Sequence, residues 1–247
     1  MGKPIYDQIY QSKVFVDWSG FDKRRCDFEG LIKPLFNGEI NMKLIGSAAT
    51  KTMRRGAEDM DYFVSFENSF NQEDFVTKIR KSGVEITDIN AHKKYGYLRL
   101  SGRYQCSDFV LVPVVDPHGE ISTYEQDAFY HSDFINSRKA PDHTYNAVLS
   151  KEFFQKAGVY KRVKGIGVEL LTLHYGNFDT LLEAFASSES IRVNFSENDA
   201  DYSHGKLIID YPFLGGRSFT EKVSDSDFER IKQYSKEVRK SPRKMLA

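Results

Sequence analysis

Apolar residues are spaced differently in the first half of this chain and in the second. In the first 120 residues, short apolar runs of the kind found in strands alternate with segments of helical spacing. The predicted strands cover residues 41–45, 60–66, 95–102 and 107–115, and the predicted helices cover residues 21–36 and 73–81. Because strands and helices alternate, the pattern predicts a mixed sheet with helices packed on it.

Helical spacing dominates after Ser122. Long helical segments occupy residues 124–138, 150–160, 167–176 and 177–187, followed by a short strand at 206–212 and a last helix at 224–240. The composition changes at residues 117–122, which we interpret as a domain boundary. We therefore predict an α+β protein, with a sheet-containing domain over residues 1–120 and a mainly helical domain over residues 121–247.

The composition suits a folded protein with no strong overall charge. Of 247 residues, 40% are hydrophobic, and 35 Lys and Arg balance 35 Asp and Glu. This balance argues against binding to nucleic acid through bulk charge, although it allows a local basic groove. Cys26 and Cys106 lack metal-finger spacing and indicate free thiols in a reducing compartment. With no apolar run that could cross a membrane and no secretory leader, we expect a cytoplasmic protein.

Two acidic residues interrupt a strand that should otherwise be apolar. Asp59 and Asp61 lie beside Tyr62, Phe63 and Val64. Residues at i and i+2 of a strand project to the same face, so the two carboxylates are expected to lie side by side. Their burial and mutual repulsion are unfavourable unless a cation compensates them. Mg²⁺ prefers such oxygen ligands and completes its shell with water and substrate phosphates, so the pair predicts a magnesium site.

A Gly-Ser pair precedes this strand. Gly46 allows the backbone to approach a phosphate, and Ser47 can open a helix whose free N–H groups favour an anion. Arg55 lies between this Gly-Ser pair and Asp59, and it is a candidate for a phosphate contact. An isolated Asp-x-Asp is most often a solvated turn. Its combination with Gly-Ser between two predicted strands indicates a site for a metal-bound triphosphate, as in-line nucleotidyl transfer requires.

Together, Gly46-Ser47, Arg55-Gly56 and Asp59-x-Asp61 resemble the signature of polymerase-β-type nucleotidyltransferases. Later segments narrow the resemblance to the archaeal-type (class I) CCA-adding tRNA nucleotidyltransferases. These segments are DAFYHSDFI, LSKEFFQKAGVYKR, GIGVELLTLHYGNFDTLLEAF and IIDYPFLGGRSFTEKVSDSDFERI, and the likeness spans about residues 40 to 240. Several motifs in the family's order are more specific than any one of them.

The resemblance implies a set of nucleotide contacts in the second half of the chain. His131 matches a histidine that contacts the triphosphate, and Lys151 and Tyr160 match a lysine and a tyrosine that contact the nucleotide. Asp210 and Arg217 match residues that face the edge of the base. Without the resemblance, His131 would be interpreted as a packed or surface histidine, and Lys151 as a solvated helix lysine.

The sequence departs from the family in two ways. The family's third catalytic aspartate lies three residues before a proline, where this chain has Val110, and the nearest acid is Asp108. Asp108 keeps the same strand face but lies two residues earlier. Either a bulge or a shifted strand brings it to the site as the third metal ligand, or that ligand is missing. The chain also stops where the family's body and tail domains would begin, so we expect a shortened enzyme.

We therefore predict a template-independent nucleotidyltransferase that uses Mg²⁺ to add nucleotides from ATP or CTP to the 3′ end of tRNA or another small RNA. Asp59, Asp61 and Asp108 are the predicted catalytic and metal-binding residues. One alternative is another enzyme of the superfamily, which makes an oligonucleotide messenger or modifies tRNA or protein as a toxin. A second is a nucleotide- or RNA-binding protein without catalysis, which Val110 favours. The sequence also leaves open a homodimer or a partner chain that supplies further RNA contacts.

Overall fold

The computed structural model describes residues 3–91, 98–116, 124–195, 205–213 and 218–246. Its helices are α1 (Lys3–Lys13), α2 (Trp18–Ile32), α3 (Gly46–Thr50), α4 (Gln72–Lys81), α5 (Tyr124–Arg138), α6 (His143–Lys156), α7 (Tyr160–Tyr175), α8 (Phe178–Ser187) and α9 (Asp225–Lys240). Its strands are β1 (Ile40–Leu44), β2 (Asp59–Phe66), β3 (Glu85–Ala91), β4 (Leu98–Tyr104), β5 (Ser107–Val115), β6 (Ile191–Val193) and β7 (Leu207–Ile209). Short 3₁₀ helices cover Lys33–Phe36 and Pro242–Met245. The predicted α+β class is confirmed. In the described part of the chain, none of the helices has the length and apolar character that a membrane span needs.

Five strands form a mixed sheet in the order β1-β2-β5-β4-β3. β2 and β5 run parallel, and the other neighbours are antiparallel. The strands predicted at 41–45, 60–66 and 107–115 correspond to β1, β2 and β5, and the one at 95–102 overlaps β4, although residues 95–97 lie outside the described residues. The sequence pattern does not predict β3, because almost every residue of this edge strand is exposed and no apolar alternation marks it.

The two faces of β2 have different surroundings. Tyr62 points into a core shared with α2, where its ring stacks on Phe28 with the centroids 5.9 Å apart. Its neighbours Asp61 and Phe63 point to the opposite face, and there Phe63 packs on Phe129 of α5 at 5.7 Å. The two-residue period of the strand therefore places both carboxylates on the face that the helical half of the chain covers.

A second core joins α5 to α9 and also includes α1. Phe153 of α6, Leu170 of α7 and Phe185 of α8 are fully buried in it. Tyr6 of α1 packs edge-on against Phe178, with ring centroids 5.2 Å apart. The first helix of the chain thus packs with the helices that follow the sheet. The predicted domain division near residue 120 stays a prediction.

A break in α7 shapes the space between the two halves. Lys164 has φ 64° and ψ 158°, which lies outside the helical region. The helix resumes after it, and Gly165 and Ile166 line a cavity between the sheet and the helices. The break therefore gives that cavity a wall made of the first residues of a helical segment.

Candidate active site

A cavity of about 330 Å³ lies where the acidic face of the sheet meets α5, α6 and α7. Residues that the sequence analysis selected from separate segments line it together: Gly46, Ser47, Asp59, Asp61, His131, Lys151 and Tyr160. The strand and the Gly-Ser turn supply one wall, and the helices supply the other. The fold therefore brings the acidic pair and the proposed nucleotide contacts of the second half to one place.

The acidic pair has no cationic partner in the described part of the chain. No described residue forms an ion pair with Asp59 or Asp61. Burial, and next the charge of Asp59, raise the pKa of Asp61 to about 6, against a smaller opposing effect of Arg99. Burial and then the charge of Asp108 raise the pKa of Asp59. The two carboxylates therefore carry an electrostatic cost in the protein alone, which a bound cation would relieve.

Gly46 is required for the close approach of the Gly-Ser turn to the acidic pair. Its φ is +67°, a left-handed conformation that side chains disfavour, and a Cβ placed there would lie 3.1 Å from Asp61 Oδ2. The Ile45 N–H donates to the Asp61 C=O at 2.8 Å, which fixes the turn against the strand. Ser47 follows in α3 and is partly exposed to the cavity.

Asp108 lies next to the acidic pair, but its side chain is directed to a different partner. In the parallel pairing of β2 with β5, Asp108 is opposite Asp59 and Val110 is opposite Asp61, and the register is continuous over both strands. The bulge that would have moved Asp108 along β5 is therefore absent from this pairing. The exposed Asp108 carboxylate instead pairs with Arg103 Nε at 3.1 Å, and it does not line the cavity.

The donor set fits a magnesium ion that takes only part of its shell from the protein. Asp59 and Asp61 offer oxygen ligands beside an open cavity, and Mg²⁺ is usually held by one or two carboxylates with waters and phosphate oxygens. Among the described residues, no group of three or more His, Cys, Asp or Glu side chains is placed to hold a metal ion. Asp108 as a third ligand stays a prediction.

Lys151 is buried and forms an ion pair that the sequence analysis did not identify. Its Nζ lies 2.5 Å from Glu169 Oε1 and donates to Thr52 Oγ1 at 2.7 Å. Thr52 Oγ1 in turn donates to the same Glu169 oxygen at 2.6 Å. Burial alone would raise the pKa of Glu169, but the Lys151 ammonium and the Thr52 hydroxyl lower it. Burial lowers the pKa of Lys151, and the charge of Glu169 opposes that shift. The hydrogen bonds to Glu169 and Thr52 hold the lysine at the cavity wall.

His131 is both packed and directed at the cavity. Its side chain is almost completely buried, and its Nε2 contacts the Asp127 carboxylate. Asp127 accepts a second hydrogen bond at its other oxygen from the Phe213 N–H at 3.0 Å. The His131 ring also packs edge-on against Phe219 at 5.3 Å. Asp127, which the sequence analysis did not select, therefore fixes the orientation of the imidazole.

Tyr160 forms the edge of the cavity at the start of α7. The guanidinium of Arg54 lies over its ring, 4.8 Å from the centroid. Burial raises the pKa of the Tyr160 hydroxyl, and the nearby Arg54 opposes that shift. The hydroxyl is therefore protonated at neutral pH and is available as a hydrogen-bond donor.

Besides Asp108, two predicted residues that the structure describes, Arg55 and Asp210, do not line this cavity. Arg55 lines a neighbouring groove. Asp210 is buried beside the small β6–β7 sheet, 3.6 Å from Arg192 Nε, and burial raises its pKa. Arg217 lies outside the described residues. The roles predicted for Arg55, Asp210 and Arg217 stay predictions.

Comparison with protein-family models gives no match. Comparison with curated proteins finds CCA-adding enzymes. The chain is 26% identical to that of Methanosarcina barkeri over 219 residues, which cover 82% of this chain and 47% of that protein. It is 25% identical to that of Methanosarcina mazei over 238 residues, which cover 90% and 51%. The chain thus spans about half the length of the curated relatives it matches.

Comparison with solved structures finds proteins of the same fold. The Cid1 poly(U) polymerase with Mg and 3′-dATP bound has a TM-score of 0.75 at 11% identity, with 97% of this chain and 93% of that chain covered. CdnC of E. coli MS115-1, in complex with HORMA-deltaN, has a TM-score of 0.70 at 18% identity, with 98% and 93% covered. The resemblance to archaeal-type CCA-adding enzymes and the polymerase-β-like nucleotidyltransferase fold are both confirmed.

Proposed function

We propose that this chain, a relative of the archaeal CCA-adding enzymes, adds nucleotides from ATP or CTP to the 3′ end of tRNA or another small RNA without a template. One observation carries the proposal. Asp59 and Asp61 have no ion pair with any described residue, and they line the same cavity as Lys151 and Tyr160. A carboxylate pair of this kind, opposite hydrogen-bond donors for phosphate, fits a metal-bound nucleoside triphosphate.

Asp59 and Asp61 would hold Mg²⁺. When bound, the ion supplies charge neutralisation for the triphosphate and lowers the pKa of an attacking hydroxyl. The Lys151 ammonium, held by Glu169 at the wall, would donate to a phosphate oxygen. The Tyr160 hydroxyl, which burial keeps protonated, would donate a second hydrogen bond. These groups would orient the triphosphate so that pyrophosphate departs in line with the attack on the α-phosphorus.

The carboxylate that would act on the acceptor 3′-hydroxyl does not line the cavity. Asp108 remains the proposed third carboxylate, because it lies in register with Asp59 on the same strand face. In this role it would take the proton of the acceptor 3′-hydroxyl, and its side chain would first have to leave Arg103. His131, fixed by Asp127, would contact the triphosphate from α5. We also propose that the protein acts in the cytoplasm. A second copy of the chain or a partner chain would extend its contact with the RNA.

The direct test is transfer of a labelled nucleotide. Purified protein is incubated with Mg²⁺ and each radiolabelled nucleoside triphosphate, with and without tRNA, and products are separated by size. We expect the RNA to be extended by one or a few nucleotides from ATP or CTP. Asp61→Asn should abolish the extension, whereas Glu221→Gln, at an exposed acid without an ion pair among the described residues, should not change it. Extension by the Asp61 variant would contradict the proposal.

Val110 favours a second candidate, a nucleotide-binding protein without transfer activity. It places an apolar side chain opposite Asp61, where the family has an acid. In that case the protein would bind ATP with Mg²⁺, but neither pyrophosphate nor extended RNA would form. A product made from nucleotide alone, without RNA, would instead indicate synthesis of an oligonucleotide messenger.

A further inference from the structure

The cavity that Asp59, Asp61, Lys151 and Tyr160 line is called the nucleotide cavity below. A second depression lies beside it, and we name it the basic groove. It has a volume of about 520 Å³ and is formed by the end of α1, the segment before β2 and the end of α6. Its charged lining residues are Lys13, Arg54, Arg55, Glu152 and Lys156. The nucleotide cavity and the basic groove are therefore two neighbouring sites with different linings.

The basic groove has an excess of positive charge. Four cationic side chains surround one carboxylate, which leaves three uncompensated positive charges in a chain whose formal net charge is +0. Glu152 is buried and is shared by Lys13 at 3.4 Å and Arg54 at 3.5 Å. Arg55 and Lys156 are exposed, and within the described ranges neither has an ion-pair partner. Arg55 and Lys156 are thus available to an anionic ligand.

Backbone contacts hold the groove in shape. Arg54 pairs with Val14 in an isolated antiparallel β-bridge, and the Arg55 N–H donates to the Lys13 C=O at 2.8 Å. Gly56 has a φ of +78°, and a Cβ there would meet nothing within 4 Å, so the turn is open to solvent. Because the cations are mounted on an ordered turn and a helix, a ligand would not have to order the backbone.

The basic groove is adjacent to the catalytic pair but separated from the nucleotide cavity. The Arg54 guanidinium over the Tyr160 ring forms the partition. Lys151 and Glu152, consecutive on α6, line the cavity and the groove respectively. The lining segment continues directly into β2, and at most ~14 Å of backbone joins Arg55 to Asp59. A ligand in the groove therefore lies within a few nucleotide lengths of the acidic pair.

We propose that the basic groove binds backbone phosphates of the single-stranded RNA acceptor, upstream of the 3′ end that Asp59 and Asp61 act on. This inference rests on the proposed function. The triphosphate has its own donors in the cavity, and the Arg54–Tyr160 partition separates it from the groove, so the groove's anion belongs to a second molecule. Arginine and lysine side chains on an open surface are suited to phosphate contacts that carry no base specificity.

The test measures binding alone, so that it does not depend on catalysis. A short single-stranded RNA with a 5′ fluorescent label is titrated with the full chain by anisotropy, without nucleotide, at several salt concentrations. We expect the double variant Arg55→Ala/Lys156→Ala to bind several-fold more weakly. The slope of log K against log salt should decrease by about 1.4, because each lost phosphate contact to a single strand contributes about 0.7.

The matched control is Arg80→Ala/Lys81→Ala, which also removes one arginine and one lysine, here from the exposed end of α4. Neither residue has an ion-pair partner in the described part of the chain. This variant should keep the parent slope. Equal affinity and slope for the groove and control variants would overturn the proposal. It would also be overturned if the groove variant weakened binding of ATP–Mg²⁺, measured by calorimetry, and left RNA binding unchanged. Absence of nucleotide transfer by the parent chain, together with normal RNA binding, would instead count against the proposed function.

Discussion

Asp61 lies directly opposite Val110 in the parallel pairing of β2 with β5, while the nearest acid of β5, Asp108, lies two pairs earlier, opposite Asp59. The carboxylate nearest to the family's third position is therefore displaced by two residues, from Val110 to Asp108, along the same face of β5. No bulge in this pairing corrects the displacement, because the register continues without interruption. Substitutions at Asp108 and Val110 can therefore show which position of β5 must carry a carboxylate for nucleotide transfer.

We expect Asp108→Asn to lower the rate of nucleotide transfer by roughly 10²-fold with little change in nucleotide affinity, because a carboxylate that acts on the attacking hydroxyl contributes to the chemical step. Adding Val110→Asp to that variant should restore much of the rate, since it places a carboxylate opposite Asp61. The measurement is single-turnover transfer of labelled nucleotide, with a separate measurement of nucleotide affinity. Val110→Asn is the matched control for size. An unchanged rate in the Asp108→Asn variant would exclude Asp108 from the third position.

The raised pKa of Asp61 predicts how stability depends on pH in metal-free buffer. Burial and Asp59 raise that pKa from 3.8 to about 6, so between these values the folded state binds more protons than the unfolded state. The free energy of unfolding should therefore fall as pH rises from 4 to 6, by about 2–3 kcal/mol from this group, and the loss should persist above pH 6.

Asp61→Asn should remove this dependence. At pH 7 the variant should melt higher than the parent by about 4–10 °C, and at pH 4 the two should melt together. The measurement is thermal unfolding by circular dichroism in EDTA from pH 4 to pH 8. A variant that is less stable than the parent at pH 7 would show that the carboxylate is compensated in the protein alone.

The Lys151–Glu169 ion pair predicts that substitutions of the two residues have non-additive effects on the free energy of unfolding. Lys151→Met alone leaves a buried, uncompensated Glu169 and should cost about 3–5 kcal/mol. The double variant Lys151→Met/Glu169→Leu removes both charges and should recover most of that loss, but neither variant should bind nucleotide tightly. Urea unfolding and ATP binding are the two measurements.

The comparison for these substitutions is Lys23→Met, which breaks an exposed ion pair with Asp27 at 2.9 Å. It should cost little stability, because solvent screens an exposed ion pair. If the double variant were as unstable as Lys151→Met, the loss would come from packing and not from an unpaired charge. If it bound ATP normally, Lys151 would not be a nucleotide contact.

Gly46→Ala tests the contact between the Gly-Ser turn and the acidic pair. The substitution requires a left-handed φ and brings a methyl group to 3.1 Å from Asp61 Oδ2, so we expect a loss of about 1–2 kcal/mol of stability and weaker binding of ATP–Mg²⁺. Gly38→Ala, at a left-handed glycine with open space around it, is the control for the backbone effect alone. Equal ATP affinity in the two variants would contradict the proposed role of the turn.

The amino-acid sequence by itself determined the parts of this protein that depend on local periodicity and spacing. The i, i+2 relation of Asp59 and Asp61 required both to share one face of β2, and the glycine at position 46 marked the turn beside them. The α+β class followed from the alternation of strand and helix patterns, and the confirmed resemblance rested on motifs that stand in order along the chain. For β3, whose residues are exposed on both faces, no such signal existed.

Only the tertiary structure decided which distant residues meet. The pairing register put Asp108 beside Asp59 and left Val110 facing Asp61, and periodicity cannot fix the register between two strands. The packing of α6 against α7 joined Lys151 to Glu169, and the turn before β2 directed Arg55 into the basic groove. The physical reason is that spacing along one element determines the direction of its side chains, whereas their partners depend on how separate elements pack to bury their apolar faces.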